Sequence, residues 1–184
     1  MRVIAGTARS MPLRTVKGMD VRPTTDRTKE TLFNILMPWI PGCRFLDLYA
    51  GSGSIGIEAL SRGCAHCTFI EKTRAHQNLI LENLEFTRLK ENARLIRGDV
   101  NAVLPRLESE EPFDVIFMDP PFDHHLEKTT LELLAHSSLP AEDGLIVVEA
   151  SPRTDFSYLD ELGYEIFRER RYGQSQHIFL KRMR

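Results

Sequence analysis

Short apolar runs alternate with amphipathic stretches along most of the chain. The apolar runs recur every ~20–30 residues, the spacing of βαβ units, and they occupy residues 44–49, 67–71, 94–97, 113–118 and 145–149. The stretches between them place apolar residues at helical spacing, as in residues 73–89, which contain Leu79, Ile80 and Leu84. This alternation predicts an α/β fold built on a doubly wound, mostly parallel sheet with right-handed crossovers.

The C-terminal segment breaks this rhythm. Residues 164–171 and 176–182 both have the apolar content of strands, and only four residues separate them. A link this short joins antiparallel neighbours, so the segment predicts a strand pair at the edge of the sheet.

The N-terminal segment differs as well. Residues 2–5 and 12–16 predict two short strands around a turn at residues 6–9. A helix follows Pro23, which bars helix formation upstream, and a threonine after this proline can cap the helix. Pro38 ends it.

Length and composition indicate one globular domain. The chain has 184 residues, of which 42% are hydrophobic and 27% charged. We expect a single domain over residues 1–184, in which a hairpin-and-helix extension (1–40) precedes a Rossmann-like core (41–184). A polar start and the lack of a run of eighteen apolar residues favour a cytoplasmic protein without a membrane segment.

The three cysteines form an odd set, which favours reduced thiols. A zinc site at Cys64-x-x-Cys67 would need two further ligands at a defined spacing, and the sequence has none. We therefore expect no metal, and we expect these cysteines to enter a buried strand.

Charge is distributed unevenly, although the net charge is only −2. Residues 1–30 carry seven Lys/Arg and three Asp/Glu, and residues 165–184 carry six and two, so each end has a charge of +4 and residues 31–164 have −10. Two basic ends around an acidic centre are typical of contact with a polyanion. Solvated basic termini would give the same distribution.

A glycine-rich turn follows the first strand of the core. Gly51-x-Gly53-x-x-Gly56 matches the dinucleotide fingerprint, and Glu71 stands twenty residues after Gly51 at the end of the next strand. Glycines let the backbone approach a ligand closely, and the acidic residue can accept ribose hydroxyl protons. Asp47 lies just before the turn, where a carboxylate would repel a pyrophosphate and attract a cation.

S-adenosylmethionine carries an ammonium and a sulfonium and no phosphate, so it accounts for Asp47 better than NAD does. Asp99 follows the third strand, where it can bind the adenine amino group of the cofactor, cap a helix, or do both.

The fourth strand ends in Asp119-Pro120-Pro121-Phe122. Ligands of open α/β sheets bind beyond the carboxyl ends of the strands, so this tetrapeptide should lie beside the glycine turn. The Asp119 carboxylate and the Pro120 carbonyl can each accept one N–H of an exocyclic base amine, while Phe122 stacks on the base. Two acceptors favour a pyramidal nitrogen whose lone pair can attack a sulfonium methyl group in line. A structural turn with a buried phenylalanine is the alternative interpretation.

These segments together resemble the small bacterial ribosomal RNA guanine-N2 methyltransferases of the RsmD type. The resemblance covers nearly the whole chain. The segment Arg22-Pro23-Thr24-Thr25-Asp26-Arg27 is similar to the N-terminal signature of that family, and Arg171-Tyr172-Gly173 is similar to its C-terminal hairpin. Segments 47–53 and 119–122 resemble its cofactor and catalytic motifs.

The resemblance implies a class I S-adenosylmethionine-dependent methyltransferase fold with seven strands, the last of them antiparallel and inserted between neighbours, and with an N-terminal β-hairpin extension. It implies one target guanine in the small-subunit (16S) rRNA of a nearly assembled ribosomal particle. One departure is the first turn, which has Ala8-Arg9-Ser10-Met11 where the family usually has a Gly-Arg pair.

The motifs and the resemblance together predict three sets of site residues. The catalytic set is Asp119, Pro120, Pro121 and Phe122. The cofactor-binding set is Thr24, Asp47, Tyr49, Gly51, Ser52, Gly53, Glu71, Lys72, Asp99 and Val100. The RNA-binding set is Arg9, Arg14, Arg22, Arg27 and Tyr172.

Other functions fit parts of this pattern. The same acceptors suit the amine of adenine-N6 or cytosine-N4, so the catalytic motif does not choose the base. The glycine turn alone also fits an NAD-dependent oxidoreductase, and a ribosome-assembly factor could keep the fold without catalysis. An intact segment 119–122 argues against that loss.

Overall fold

The computed structural model describes residues 1–15, 25–122 and 124–183. The predicted site residues Arg22 and Thr24, and with them the first half of the N-terminal signature segment (22–24), lie outside these described residues.

Seven strands form one sheet in the order β3-β2-β1-β4-β5-β7-β6. The strands are β1 (Arg44–Leu48), β2 (His66–Glu71), β3 (Ala93–Arg97), β4 (Phe113–Met118), β5 (Pro140–Ala150), β6 (Tyr164–Tyr172) and β7 (Ser175–Arg182). The helices are α1 (Asp26–Leu36), α2 (Ser54–Ser61), α3 (Arg74–Thr87), α4 (Val100–Val103) and α5 (Leu126–Ala135).

The strand order confirms the predicted doubly wound sheet. Neighbours from β3 to β5 are parallel, and β7 is antiparallel to both β5 and β6. The last strand is thus inserted between its neighbours, as the family resemblance implies. One strand differs in length, because β5 begins at Pro140 rather than at 145, with a register shift between Phe113 and Val115 of the neighbouring β4.

Apolar side chains on the two faces of the sheet form two clusters, because successive strand residues point to opposite faces. One cluster contains Phe45, Phe117 and Phe179 and is covered by α1, α2 and α3; we call this side the α1–α3 face. The other contains Met118 and Val148 and is covered by α4 and α5.

The predicted N-terminal hairpin forms, but with a single bridge, Arg2 to Pro12, in place of two strands. The amides of Ile4 and Ala5 donate instead to the carboxylate of Glu58 in α2, at 2.8 and 3.0 Å. Pro12 has no N–H to continue a ladder. The extension is therefore held by the core as well as by backbone bonds across the hairpin, such as that from the Val3 amide to the Met11 carbonyl at 3.0 Å.

A buried ionic group fastens the extension to α2. Glu58 is fully buried and accepts from Lys29 Nζ at 3.3 Å and from Arg62 Nε at 2.7 Å. Lys29 of α1 also donates to the backbone carbonyl of Arg2 at 2.6 Å. Gly6 packs closely against α2, where a Cβ at this position would lie 1.7 Å from the Ser61 carbonyl oxygen. A glycine is required at this contact.

The helix predicted after Pro23 begins at Asp26, and the Thr25 side chain caps it by accepting from the amide of Thr28 at 3.2 Å. Cys43, Cys64 and Cys67 are free and buried. In the described ranges, no cluster of three or more potential metal ligands occurs, and no helix has both the length and the hydropathy of a membrane span.

Candidate active site

Three loops meet at the carboxyl edge of the sheet. Leu48 of β1 pairs with Ile70 of β2 on one side and with Met118 of β4 on the other. The glycine turn after β1 therefore lies between the acidic residue that ends β2 and the Asp119 loop after β4, as the sequence predicts.

Positive backbone angles shape the glycine turn. Gly51 and Gly53 have φ of 55° and 77°, a region that favours glycine. Gly56 allows α2 to pack closely on β2, because a Cβ there would lie 2.3 Å from the Phe69 ring and 2.6 Å from the Cys67 sulfur. The turn is held by its own amides, because Gly51 donates to Glu71 and Gly53 donates to the Ala50 carbonyl, each at 2.8 Å.

Asp47 lies beneath this turn and is only 1% exposed. Its Oδ2 accepts from the amide of Gly56 at 2.9 Å, at the beginning of α2. Burial raises the pKa of Asp47 to about 8, the Gly56 bond opposes this shift, and the charge of Glu71 adds to it. A buried carboxyl with a raised pKa gains most from a cationic ligand, and this fits the ammonium group of S-adenosylmethionine.

Glu71 connects the glycine turn to α3. Its two oxygens accept from the amides of Gly51, at 2.8 Å, and Thr73, at 2.7 Å. Gln77 of α3 donates to the Glu71 carbonyl at 2.9 Å, and His76 lies 3.5 Å from the carboxylate. These contacts fix a carboxylate at the end of β2, where the fingerprint needs a ribose acceptor.

Tyr49 links the turn to the opposite face of the sheet. It has a φ of 59°, and its hydroxyl lies 2.8 Å from the Thr130 hydroxyl of α5. Thr130 in turn donates to the Asn101 side chain at 3.0 Å. Burial raises the pKa of Tyr49, so its hydroxyl stays neutral and can bridge these loops.

Asp99 is exposed and caps α4, where it accepts from the amide of Asn101 at 3.1 Å. Its second oxygen lies 3.2 Å from Lys72 Nζ, across the cofactor edge of the sheet. The cap is therefore present, and one oxygen also reaches solvent. The side chain of Val100 is buried in the core, so its backbone amide at the beginning of α4 is the group that a ligand could use.

Asn83 of α3 joins two segments of the chain, a role that the sequence did not predict. It is 1% exposed, and its side-chain nitrogen donates to the carbonyls of Ser52, at 3.0 Å, and Arg14, at 3.1 Å. Its oxygen accepts from the amide of Arg14 at 2.8 Å. The N-terminal extension and the glycine turn are thus both bonded to the buried side-chain amide of Asn83. Its position within an amphipathic helix gave no indication of this role in the sequence.

The Asp119 loop opens to solvent. Asp119 is exposed, Phe122 is 38% exposed, and Pro120 is buried. Within the described part of the chain, the Asp119 carboxylate has no hydrogen-bond partner. Surrounding protein atoms raise the pKa of Asp119 well above its ordinary range, and the charges of Glu149 and Asp47 add to this effect. A crowded but accessible carboxyl at this edge is suited to bind an amine.

Glu149, at the end of β5, was also missed. Its Oε2 lies 3.1 Å from Nε2 of His177, a fully buried residue of β7. The Tyr172 ring packs against the His177 ring with centroids 4.9 Å apart. The sequence feature that could have identified Glu149 is that an acidic residue lies at the end of each of β1, β2 and β5.

The described members of the predicted RNA-binding set differ in their surroundings. Arg9 and Arg27 are exposed, whereas Arg14 is exposed and pairs with Glu82 at 2.7 Å. Tyr172 is half-buried. The three arginine side chains are therefore accessible, whereas the Tyr172 hydroxyl is enclosed.

The family model described as Conserved hypothetical protein 95 matches residues 1–181. Ribosomal RNA small subunit methyltransferase D of Escherichia coli (strain K12) is 35% identical over 182 residues, which cover 99% of this chain and 90% of that protein. The Haemophilus influenzae protein of the same name is 39% identical over 150 residues, covering 81% of this chain and 78% of that protein.

Solved structures agree. The Escherichia coli protein yhhF superposes with a TM-score of 0.84 at 36% identity, covering 100% of this chain and 98% of that chain. Precorrin-6y C5,15-methyltransferase of Geobacter metallireducens shares the fold alone, with a TM-score of 0.71, 16% identity and 94% coverage of each chain. Fold and site define a class I S-adenosylmethionine-dependent methyltransferase. Within that class, the chain belongs to the ribosomal RNA small subunit methyltransferase D family.

Proposed function

We propose that this protein transfers the methyl group of S-adenosylmethionine to the exocyclic N2 of one guanine in bacterial small-subunit (16S) rRNA, leaving S-adenosylhomocysteine. The observation that carries the proposal is an accessible Asp119 carboxylate, unpartnered among the described residues, in one loop with the exposed Phe122 ring and next to a glycine turn with a buried acid beneath it. Residues 1–184 act as one methyltransferase domain, because the extension and the core share one apolar cluster.

The cofactor-binding residues fit S-adenosylmethionine rather than a dinucleotide. Asp47 offers a buried carboxyl to an ammonium group, and Glu71 offers a fixed carboxylate to ribose hydroxyls. Asp99 and the amide of Val100 are left for the adenine ring. When bound, the cofactor supplies an electrophilic methyl group on a sulfonium.

Asp119 and the Pro120 carbonyl would hold the base amine by its two N–H groups. Phe122 would stack on the base, and one such contact is worth roughly 1–3 kcal/mol. The nitrogen lone pair forms the new N–C bond, the C–S pair leaves with sulfur, and the excess proton of the amine passes to the Asp119 carboxylate. A raised pKa makes this carboxylate a better proton acceptor.

Unpaired arginines would bring a polyanion to this edge. Arg9 and Arg27 belong to the N-terminal extension, and Arg168 and Arg170 belong to β6, whose exposed side chains form no ion pair among the described residues. Both basic ends of the chain would thus contact rRNA, within a nearly assembled particle in the cytoplasm.

The proposal is tested by incubating the protein with labelled methyl donor and undermethylated small-subunit particles, followed by nucleoside mass analysis. N2-methylguanosine at a single position is the expected product. N6-methyladenosine or N4-methylcytidine would contradict the base assignment. Particle binding without methyl transfer would indicate an assembly factor, and calorimetric binding of NAD but not of S-adenosylhomocysteine would indicate an oxidoreductase.

A further inference from the structure

Two acidic residues stand side by side at the ends of β4 and β5. Met118 and Val148 are register partners in these parallel strands, and Asp119 and Glu149 are the next residue of each. Neighbouring strands lie about 4.8 Å apart. The charge of Glu149 also contributes to the raised pKa of Asp119, as expected for two carboxyls on adjacent strands.

His177 holds Glu149 in place. Its Nε2 donates to Glu149 Oε2 at 3.1 Å, because a carboxylate oxygen can only accept. The imidazole is fully buried among the rings of Phe117, Tyr172 and Phe179, with centroids 6.1, 4.9 and 6.3 Å away. A histidine packed this closely, with one nitrogen bonded to the carboxylate, fixes the orientation of Glu149.

The remaining carboxylate oxygen of Glu149 is unused. Among residues 1–15, 25–122 and 124–183, Oε1 has no hydrogen-bond partner, and neither does Asp119. Nδ1 of His177 is cut off from solvent, whereas Oε1 of Glu149 is not enclosed. Two adjacent acceptors at one edge call for a ligand with two adjacent donors.

Guanine is the base that offers this pattern. Its amine at C2 stands next to N1–H, so two donors are adjacent. Adenine places its amine beside the N1 acceptor, and cytosine places its amine beside the N3 acceptor. Either of these would bring a lone pair against the Glu149 carboxylate, which costs binding energy because neither group has a donor.

We propose that Glu149, positioned by His177, accepts the N1–H of the target guanine and thereby selects guanine at the site where Asp119 holds the amine. This inference rests on the proposed function and deepens it, because segment 119–122 alone fits any exocyclic amine. Accepting N1–H also shifts electron density toward N2, which favours attack on the methyl group.

The test replaces the target guanine by 2-aminopurine in reconstituted small-subunit particles. This base keeps the amine at C2 but has a lone pair in place of N1–H. Methyl transfer by the wild-type protein should favour guanine over 2-aminopurine by roughly 100-fold in kcat/KM, the effect of an unpaired polar group in a binding site.

Glu149→Gln should remove or reverse this preference. His177 donates to the amide oxygen of the new side chain, so the amide NH₂ group faces N1, where it opposes guanine and matches 2-aminopurine. Because 2-aminopurine also lacks O6 in both proteins, the change in preference between the two proteins isolates N1. Glu142→Gln, at the exposed beginning of the same strand, is the matched control and should keep the wild-type preference.

Unchanged preference in Glu149→Gln would overturn the inference, provided that S-adenosylhomocysteine binding shows a folded protein. That result leaves the proposed function standing, whereas failure of the wild-type protein to methylate guanine particles would remove the proposed function itself. His177→Phe keeps the ring packing and loses the donor, so its preference should fall roughly 10-fold with cofactor affinity retained. An unaltered preference in this variant would remove the positioning role of His177.

Discussion

Carboxyl groups at the carboxyl edge of the sheet differ in what surrounds them, and the roles proposed for them follow this difference. Asp47 is buried and bonded to a helix amide, whereas Asp119 is accessible and unpartnered among the described residues. Glu71 is held by two backbone amides. A group with fixed partners suits cofactor binding, and a group without them is free to bind the base.

Asp119→Ala should lower methyl transfer by roughly 100- to 1,000-fold, the usual effect of removing one preorganised hydrogen-bonding group. Cofactor affinity and melting temperature should not fall, because the change relieves the repulsion between Asp119 and Glu149 that helps raise the pKa of Asp119. Single-turnover rates and calorimetry with S-adenosylhomocysteine check both parts. Asp160→Ala, on the exposed surface, is the control, and near-normal turnover in Asp119→Ala would refute the catalytic role.

Asp47 should couple cofactor binding to proton release. With a pKa of about 8, its carboxyl is mostly protonated at pH 7 in the free protein, and a cationic ligand favours the charged form. Binding of S-adenosylmethionine at pH 7 should therefore release up to about one proton. Calorimetry in buffers of different ionisation enthalpy measures this number, and Asp47→Asn should release none and bind more weakly. Equal proton release in both proteins would exclude Asp47 as the source.

The raised pKa of Asp47 also makes the stability of the protein depend on pH. The folded pKa lies above the unfolded value of 3.8, so the folded state holds the extra proton between about pH 4 and pH 8. The contribution of Asp47 to the free energy of unfolding therefore decreases as pH rises through this window. Asp47→Asn without cofactor should consequently melt higher than wild type by more at pH 8 than at pH 5. A constant difference across these pH values would contradict the raised pKa.

At the scale of elements, periodicity predicted every strand, because parallel strands buried on both faces are nearly continuous apolar runs. The crossover rule predicted the parallel, doubly wound arrangement but not the order of the strands. Local pattern could not predict that the amides of Ile4 and Ala5 leave the hairpin for Glu58, since this contact joins residues 54 and 53 positions apart. Asn83 was missed for the same reason, because its partners Arg14 and Ser52 are distant in sequence.

Strand alternation on β6 gives a prediction about RNA binding. Arg168 and Arg170 pair with Phe179 and His177 of β7, which lie on the α1–α3 face beside the site, whereas Arg171 pairs with Gln176 on the opposite face. Arg168→Glu with Arg170→Glu should weaken particle binding and reduce the slope of log affinity against log salt by roughly 1–2.

Arg170→Glu alone and Arg171→Glu form the matched pair, because each reverses one charge, on opposite sides of the strand. The affinity of Arg171→Glu for the particle should fall less than that of Arg170→Glu across the salt range. Equal losses in these two single variants would mean that overall charge, rather than the face beside Asp119, governs the association.

At the scale of the whole molecule, the N-terminal extension and the core are joined by polar contacts that are themselves buried. Glu58 receives two amides of the extension, a lysine of α1 and an arginine of its own helix. Asn83 joins the extension to the glycine turn. The segment that would contact RNA and the turn that would bind the cofactor are thus parts of one packed body.

Glu58→Gln should lower the free energy of unfolding by about 3 kcal/mol, because Lys29 would remain fully buried without a counter-charge. Burial already lowers the pKa of Lys29, with Glu58 opposing this shift, so removing Glu58 lowers the pKa further. A lysine whose folded pKa lies below its unfolded value destabilises the fold at low pH and less as pH rises toward 10.5. The loss in Glu58→Gln should therefore shrink between pH 7 and pH 10, as measured by urea unfolding.

Lys29→Met combined with Glu58→Gln tests whether the stranded charge is the cause. An apolar side chain of similar length removes the buried ammonium, and the glutamine oxygen can still accept an amide from the extension. The double variant should recover most of the stability lost in Glu58→Gln, while Glu30→Gln, exposed on the same helix as Lys29, should stay close to wild type. If the double variant is as unstable as Glu58→Gln at every pH, then the amides of Ile4 and Ala5, rather than the ion pair, account for the anchoring of the extension.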